Sequence, residues 1–596
     1  MAQKKGEQDP AEKEKLQALR HTTEHVLTQA LQRLFPGIKM ALGPAIEDGF
    51  YCDFDAGEYK ISEEDFPQLE AEMKKIIQQN LPLRQEKVSL KRARQLFADN
   101  PYKQELLDEI AQEGSEVTLY WTGEEFVDLC QGPHLSSTGE IKAFKLLSVA
   151  GAYWRGEEKN KMLTRIYGTA FFDPAELEAY LQQREESKNR DHRRLGKKLN
   201  LFTFSPLVGK GLPLWTPRGA IIYQELENFV REEETKRGYL HVRTPVLAKT
   251  DLYRTSGHYP YYKESMYPPM QYDEDEIILR PMTCPHHFVL YMDQIRSYRE
   301  LPLRLAELAQ LFRYEKSGEL TGLIRVRSFC LADSHIFCRR QQASEEIKGV
   351  LDLINFMTQT LGLKMGRDYW FRLSLSDPEN SEKYYPAPEQ WAESEKILTA
   401  VLEELELPFN KARGEAAFYG PKIDIQMRNA NGKEDTAFTV QYDFCLPQRF
   451  NLTYINEKGQ KEQPVVIHRS SIGCLERTIA FLIEHYRGAF PVWLTPVQVK
   501  ILPVSQNFND YAEKVQQFLR QSQIRTALDD RNETLNAKIR QGQEEKIPYL
   551  LIVGAQEAKE ETVNVRWRDN ARQKLFSLAE FRDYVRNKIE SKSLEL

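Results

Sequence analysis

The sequence predicts a multidomain α+β protein. An α+β domain covers residues 1–172, a helical linker 173–199, a domain built on a large antiparallel sheet 200–492, and a small α/β domain 493–596. Three observations carry this. At 596 residues the chain is too long for one hydrophobic core. The proline-bounded PVWLTP (491–496) reads as a hinge between two stretches of different rhythm. Beyond it, VQVKILPV, NDYAEKVQQFLRQS, PYLLIVG and TVNVRWR alternate strand and helix, while before it amphipathic helices stand among many strands.

The first element is a helix over 16–35. Leu16, Leu19, Val26, Ala30 and Leu34 share one face, and Pro36-Gly37 ends it. At 100° per residue His21 and His25 fall on the other side, away from the core stripe. GPAIEDGFYCDFD, EVTLYW, EFVDLCQGPH and KMLTRIYGTAFF follow as strands and turns. One polar helix is predicted over 174–198. Its segment REESKNRDHRRLGKK (184–198) has seven Lys/Arg against three acids, and reads equally as a solvated linker or an RNA-facing surface. AIIYQELENFVREEETKRG and ASEEIKGVLDLINFMTQTLG are the amphipathic helices of the central domain.

Composition narrows the class. Hydrophobic content of 41% with 29% charged residues is that of a soluble protein, and no apolar run reaches the roughly 18 residues of a membrane span. The charged MAQKKGEQDPAEKEK has no apolar core and is not a secretory signal. Seven scattered cysteines form no disulfide framework and point to the cytoplasm. The net charge of −6 leaves any nucleic-acid partner to local basic surfaces.

Two groups of histidine and cysteine stand out. HTTEHVLTQALQRLF and DLCQGPH place His21 with His25, and Cys130 with His134, each pair four residues apart. RPMTCPHH, ADSHIF and VIHRSSIGC offer Cys284, His335 and His468. Spacing alone favours the quartet as a zinc site over a catalytic pocket, and leaves the trio a weak signal. LFRYEKSGELTGLIRVRSF is two strand-like runs joined by a loop, with Arg313 and Glu315 on one arm and Arg325 and Arg327 on the other. Arginine's planar fork suits phosphate, and a glutamate accepts from an adenine amino group. The same hairpin is equally a salt-bridged surface ribbon.

With GYLHVRTPVL and GCLERTIAFLIEHY (Gly473, Glu476, Arg477), this hairpin resembles the three signature motifs of class II aminoacyl-tRNA synthetases. RPMTCPHH, GLIRVRSF, GEAAFYGPKIDIQ, TVQYDF and VIHRSSIG are similar to the threonyl-tRNA synthetase family, and the resemblance runs from about residue 16 to the C-terminus. It implies an α+β editing domain, an antiparallel-sheet catalytic domain and an α/β anticodon-binding domain. It also implies ATP-dependent activation of L-threonine, with Mg²⁺ on the ATP, and transfer to tRNA(Thr). By the resemblance Arg313 holds the α-phosphate, Glu315 reads adenine, and Arg325 and Arg477 bind the remaining phosphates and the adenine face. Gln441 and Glu476 lie on the nucleotide side. Asp333 holds the substrate amino group, with Tyr419, Lys422 and Gln441 nearby. Cys284, His335 and His468 match the family's ligands for one Zn²⁺ per subunit.

An apolar pocket separates threonine from valine by only about 10²-fold, so a metal that takes amine and hydroxyl together is the stronger discriminator. Serine carries both groups, and one missing methyl gives roughly 1–3 kcal/mol. The resemblance therefore makes His21, His25, Cys130 and His134, with Lys103 and Asp128, a metal-free pocket that hydrolyses seryl-tRNA. Asn532, Arg566 and Arg568 take anticodon-reading positions, with Trp567 for stacking. A homodimer is implied, closed by the motif-one helix and strand.

Several positions depart from the family pattern. By the resemblance the sequence is expected to open on the editing domain, without the small ubiquitin-like domain that many members carry. Leu331 stands where glutamine is usual, Cys474 where serine is, and His286 where glycine is; Lys559 and Thr534 vary in polarity. Two other functions compete: a tRNA-binding paralogue without aminoacylation, and a trans-editing hydrolase. A pure binder needs neither Arg313, Arg477 nor the Cys/His trio.

Overall fold

Leu19, Val26 and Ala30 bury one face of helix α1 (Pro10–Leu34), as their stripe predicts, against the strand Gly49–Asp55 and its neighbours. The opposite face is buried too, through Thr22, His25 and Gln29. A helix hidden all round has core on one side and something else to serve on the other. The computed structural model describes residues 10–380, 383–430, 432–570 and 572–596. Residues 1–9, the start of the segment expected not to be a secretory signal, lie outside the described residues.

Around α1, strands Lys39–Leu42, Gly49–Asp55, Met162–Phe171 and Ala143–Tyr153 form an antiparallel sheet in that order, with Ala45–Ile46 folded back on the second. A smaller sheet joins Leu83–Val88, β1 (Val117–Thr122) and β2 (Phe126–Leu129). Helix α2 (Pro101–Glu113) starts at Asn100, whose side chain accepts from the Tyr102 and Lys103 amides at 3.1 and 3.3 Å.

The single helix predicted over 174–198 is two. Pro174–Arg190 ends, and His192–Lys198 starts afresh because Asp191 caps it, accepting from the Arg193 amide at 2.8 Å. The second piece is no free linker. His192 is buried, with Nδ1 2.7 Å from Glu484 and Nε2 accepting the Leu323 amide at 3.1 Å. Lys188, Arg193, Arg194, Lys197 and Lys198 remain exposed.

The central sheet has eight strands. Its six inner ones are antiparallel: β3 (Leu303–Phe312), β4 (Ser328–Cys338), β8 (Val465–Cys474), β7 (Glu434–Asp443), β6 (Lys422–Arg428) and β5 (Tyr369–Leu375). The edges Leu240–His241 and Phe409–Arg413 pair in parallel, a departure from the wholly antiparallel expectation. Helix α4 (Ala343–Thr360) packs Ile347, Val350 and Ile354 under one face. Helix α3 (Cys284–Met292) lies on the other, Phe288 within 6.1 Å of the His335 ring and 6.0 Å of His468. β8 passes into helix α5 (Leu475–Tyr486) through Gly473 at φ 68°, where a Cβ would come within 2.1 Å of the Ala437 carbonyl oxygen. That turn puts Arg477 in the first turn of α5.

The C-terminal sheet runs Thr526–Leu528, β9 (Val499–Pro503), β10 (Tyr549–Val553), β11 (Thr562–Trp567), Gln573–Ser577. Its first three strands are parallel and the rest antiparallel. The hinge predicted at 491–496 is instead a buried joint. Val492, Trp493 and Leu494 are enclosed; Val492 belongs to the C-terminal core and the other two to the central core. Arg525 ties it, donating to the carbonyls of Trp493 (2.6 Å) and Thr495 (3.1 Å) and to Glu225 (2.5 Å). The chain thus forms two units, one ending at Glu185 and one running from Glu186 to Leu596.

Candidate active site

The register of the central sheet assembles the predicted residues. His335 lies opposite His468, His468 opposite Gln441, and Gln441 opposite Lys422. Directly paired residues point to the same face, so one row across four strands carries all of them. Asp333 sits two residues from His335 on that face, opposite Ser470. Tyr419 hands its hydroxyl hydrogen to Gln441 Oε1 and lays its ring 5.2 Å from His468. Lys422 Nζ is 2.6 Å from Asp424, which also takes Ser374 (2.8 Å) and Arg372 (3.0 Å).

Cys284, at the start of α3, completes the trio: its ligand atom and those of His335 and His468 lie within 4.8 Å of one another, all buried. The donor set fits a zinc ion. Burial pushes the Cys284 thiol well up, with Asp333 and Asp443 adding to it, and drives His335 well below its usual range. Each imidazole has one nitrogen occupied from behind. His468 Nε2 is 2.7 Å from Asp443, and His335 Nδ1 is 2.9 Å from His287. A carboxylate-backed histidine with its other nitrogen free is the arrangement a metal ligand needs. His287 and Asp443 were missed by sequence reasoning although both stand inside quoted motifs, RPMTCPHH and TVQYDF. His258, 3.9 Å from the Cys284 sulfur, had no such signal.

The nucleotide side is less uniform. Strands β3 and β4 stop at 312 and 328, so Arg313, Glu315, Arg325 and Arg327 occupy the loop and not the arms. Arg327 stitches that loop by donating to the Glu315 carbonyl at 2.8 and 3.0 Å. Glu315 holds Arg325 at 2.8 Å, and Glu319 lies 3.2 Å from the same guanidinium. Arg313 differs. Among the described residues its guanidinium makes one hydrogen bond, to the Pro281 carbonyl (3.4 Å), and it lies 5.2 Å over Phe329. Burial, and Arg477 beside it, lower its pKa. Arg477 donates to the carbonyls of Ile324 (3.0 Å) and Thr436 (2.5 Å).

Glu476 departs from its predicted ligand role. Its carboxyl is 3% exposed, and its oxygens accept from the Cys330 amide (3.0 Å), Cys474 (3.2 Å) and Tyr223 (3.2 Å). Burial raises it to about 7. It holds the ends of β4 and β8 together. Leu331 packs with Ala309, Leu311, Val326, Phe329 and Cys474, so the leucine and cysteine substitutions complete one apolar patch. His286 is buried, 6.4 Å from the Tyr253 ring.

The quartet forms in the first unit. Cys130 Sγ lies 3.4 Å from His21 Nε2, 3.1 Å from His134 Nε2 and 3.2 Å from the Gly132 amide that donates to it. The His21 and His134 rings stack at 4.1 Å, and Thr22 Oγ1 holds His134 Nδ1 at 3.2 Å. Its four ligand atoms also fall within 4.8 Å. The surroundings differ from the trio: among the described residues no carboxylate hydrogen-bonds these rings. Asp128 is instead paired with Lys103 at 2.6 Å, both largely buried. Burial lowers His21, His25 and His134 and raises Cys130 to about 12. The pocket presents neutral imidazoles beside a neutral thiol. Glu24 on the same helix face is buried and raised to about 8, a group the sequence reading did not single out.

Residues 262–486 match the family described as tRNA synthetase class II core domain (G, H, P, S and T). Residues 498–588 match an anticodon binding domain, and 117–167 the threonyl and alanyl tRNA synthetase second additional domain. A threonine–tRNA ligase of Geobacillus kaustophilus is 49% identical over 586 residues, 98% of this chain and 89% of that one. One of Staphylococcus aureus is 51% identical over 559 residues, covering 94% and 86%. The chain belongs to the threonine–tRNA ligase family. Among solved structures, the RNA binding domain of threonyl-tRNA synthetase from Cryptosporidium parvum has a TM-score of 0.63 at 38% identity, over 68% of this chain and 99% of that one.

In the family's anticodon-binding region, Asn532 is exposed and Arg566 stands half-buried on the outward face of β11 with Asn564. Two expectations there need correction. Trp567 is not available to stack on a base: it alternates inward, 6% exposed, against Tyr549 and Phe576. Arg568 turns back to donate to the carbonyls of Phe490 (2.9 Å) and Lys546 (3.1 Å). It fastens the interdomain joint. Thr534 caps the helix Leu535–Glu544, accepting from Ala537 at 3.3 Å.

Proposed function

We propose that this chain activates L-threonine with ATP and transfers it to tRNA(Thr), selects it with one zinc ion, and hydrolyses seryl-tRNA in its first unit. The observation that carries the reading is the single sheet row of His335, His468, Gln441 and Lys422, with Cys284 and Asp333 beside it and the half-buried cation Arg313 near enough for its charge to act on Cys284. The domains follow the boundaries 1–172, 173–199, 200–492 and 493–596.

In activation the threonine carboxylate attacks the α-phosphorus of ATP and pyrophosphate leaves; a ribose hydroxyl of the tRNA terminal adenosine then attacks the acyl carbon and AMP leaves. No protein nucleophile is needed, so these residues supply alignment and charge. Arg313 faces the α-phosphate, and Arg477 spreads the adenine face and remaining phosphates. Arg325 leaves Glu315 to bind phosphate, freeing that carboxylate for the adenine amino group. Asp333 takes the substrate ammonium, and Tyr419 and Gln441 close the pocket wall. Cys284, His335 and His468 would hold the metal, which when bound accepts the amine and hydroxyl of threonine together, a pair valine lacks.

Serine satisfies the same test, so a second site is required. In the quartet a neutral imidazole accepts a proton from water as it attacks the seryl ester, and the tRNA hydroxyl leaves. Lys103 and Asp128 orient the serine and the tRNA 3′ end. One paired measurement checks both halves: threonine-dependent ATP–pyrophosphate exchange and deacylation of seryl-tRNA(Thr). His21→Ala is expected to slow deacylation by about 10²–10³-fold while exchange is unchanged. Equal deacylation by parent and variant removes the editing assignment. Exchange absent from the parent removes the synthetase reading.

A homodimer fits the surface. Leu240 and Leu247 are exposed in the motif-one stretch, and Leu290, Met292 and Ile295 at and just beyond the end of α3, Ile295 at 89%. Sedimentation at twice the chain mass checks it, and a monomer at micromolar concentration refutes it. No helix among the described residues is long and apolar enough to cross a membrane. Seven unpaired cysteines favour the cytoplasm.

A further inference from the structure

Behind the candidate metal ligands runs a buried chain of side chains that no aminoacylation step uses. His335 Nδ1 lies 2.9 Å from His287 Nδ1, with the rings nearly perpendicular. His287 Nε2 lies 3.2 Å from Glu307 Oε2. Glu307 also accepts from Arg280 Nη2 (3.1 Å), Thr244 Oγ1 (2.7 Å) and the Thr244 amide (3.1 Å). His335, His287, Glu307 and Arg280 are almost wholly buried.

Two imidazole nitrogens facing each other bond only when one carries the hydrogen and the other the lone pair. The far end of the chain decides which. Burial alone would raise the Glu307 carboxyl, but hydrogen bonds from His287 and Thr244 and the charge of Arg280 outweigh it and hold it at about 2. An ionised carboxylate only accepts. His287 therefore donates through Nε2, and as a neutral imidazole it keeps Nδ1 as an acceptor. His335 must then donate through Nδ1, and its Nε2 lone pair is free.

The second ligand is set by a shorter route and with the opposite sense. Asp443 Oδ1 is occupied by the amides of Cys445 (2.9 Å) and Leu446 (2.8 Å), and Oδ2 takes His468 Nε2 at 2.7 Å. His468 is left with Nδ1.

We propose that His287, oriented by Glu307, and Asp443 are positioning residues that lock the two ligands in opposite tautomers. His335 thereby offers Nε2 and His468 offers Nδ1 to the same zinc ion. The inference rests on the zinc reading above and goes beyond it, since it assigns work to residues that touch neither metal nor substrate.

The test is zinc affinity of the whole purified protein, read by competition with a chromogenic chelator, together with the visible spectrum of the cobalt-substituted form. A glutamine at 287 has an amide oxygen to accept from His335 and an amide NH₂ to donate to Glu307; a leucine has neither. His287→Gln is expected to stay within a few-fold of the parent. His287→Leu is expected to bind zinc about 10–100-fold more weakly, with altered cobalt bands. Equal affinity and spectra for parent, His287→Gln and folded His287→Leu overturn the inference while leaving the zinc reading intact. A parent that binds no zinc overturns the zinc reading, and this inference with it. Should His287→Leu fail to fold, a zinc-loaded crystal structure of the parent decides: ligation by His335 through Nδ1, or by His468 through Nε2, is fatal.

Discussion

Arg313→Ala is expected to lower threonine-dependent ATP–pyrophosphate exchange about 10³-fold, about 4 kcal/mol of transition-state stabilisation. The loss should fall on kcat more than on KM for threonine. The reason is the state of this side chain before any substrate arrives. Arg325 is neutralised by Glu315 and Glu319, and Arg477 is spread over two carbonyls. Arg313 is half-buried, its guanidinium making among the described residues one long hydrogen bond, to the Pro281 carbonyl, with a ring beneath it. A partly desolvated guanidinium with no ion pair among the described residues is costly, and the structure keeps it beside a second arginine. The entering phosphate relieves that cost, most strongly when charge builds at the α-phosphorus. Lysine should restore little, because it offers a point charge where two parallel donors are needed. Exchange within tenfold of the parent for Arg313→Ala would remove the assignment.

The second large effect concerns the metal. Stripping zinc with a chelator, or making Cys284→Ala, is expected to reduce the preference for threonine over valine from about 10⁴ toward the 10² that an apolar pocket provides. Exchange with threonine should collapse at the same time, and zinc added back to the stripped parent should restore both. Valine activated as poorly without zinc as with it, beside undiminished threonine activation, would end the reading. Cys284→Ala also leaves His335 and His468 with their rear partners His287 and Asp443, so the loss should come without unfolding.

Local elements were legible in the sequence because local rules decide them. The stripe on α1 and the Pro36-Gly37 stop after it needed only neighbours a few residues away. What brings His335, His468, Gln441 and Lys422 into one row is strand register over a span of more than a hundred residues, which no local periodicity records. The trio was therefore identified through its resemblance to a family, and its spacing contributed nothing. The errors share a cause. PVWLTP looked like a hinge because prolines punctuate, but its Val, Trp and Leu fill two cores. Trp567 looked available because it flanks two arginines, yet strand alternation sends it inward. Glu476 was assigned as a ligand through the resemblance, and its carboxyl closes a gap between strand ends instead.

The enclosed joint at 491–496 has a consequence for how the molecule comes apart. Val492 fills one core and its neighbours Trp493 and Leu494 fill the other: cutting the chain there would strip solvent protection from the synthetic centre as well as from the recognition module. The portion from Glu186 onward should therefore melt as one cooperative block, and an isolated catalytic fragment ending before Arg525 would expose a sticky scar. For a protein that must reconcile a distant triplet with an amino acid, a rigid spine between reader and writer keeps that separation constant.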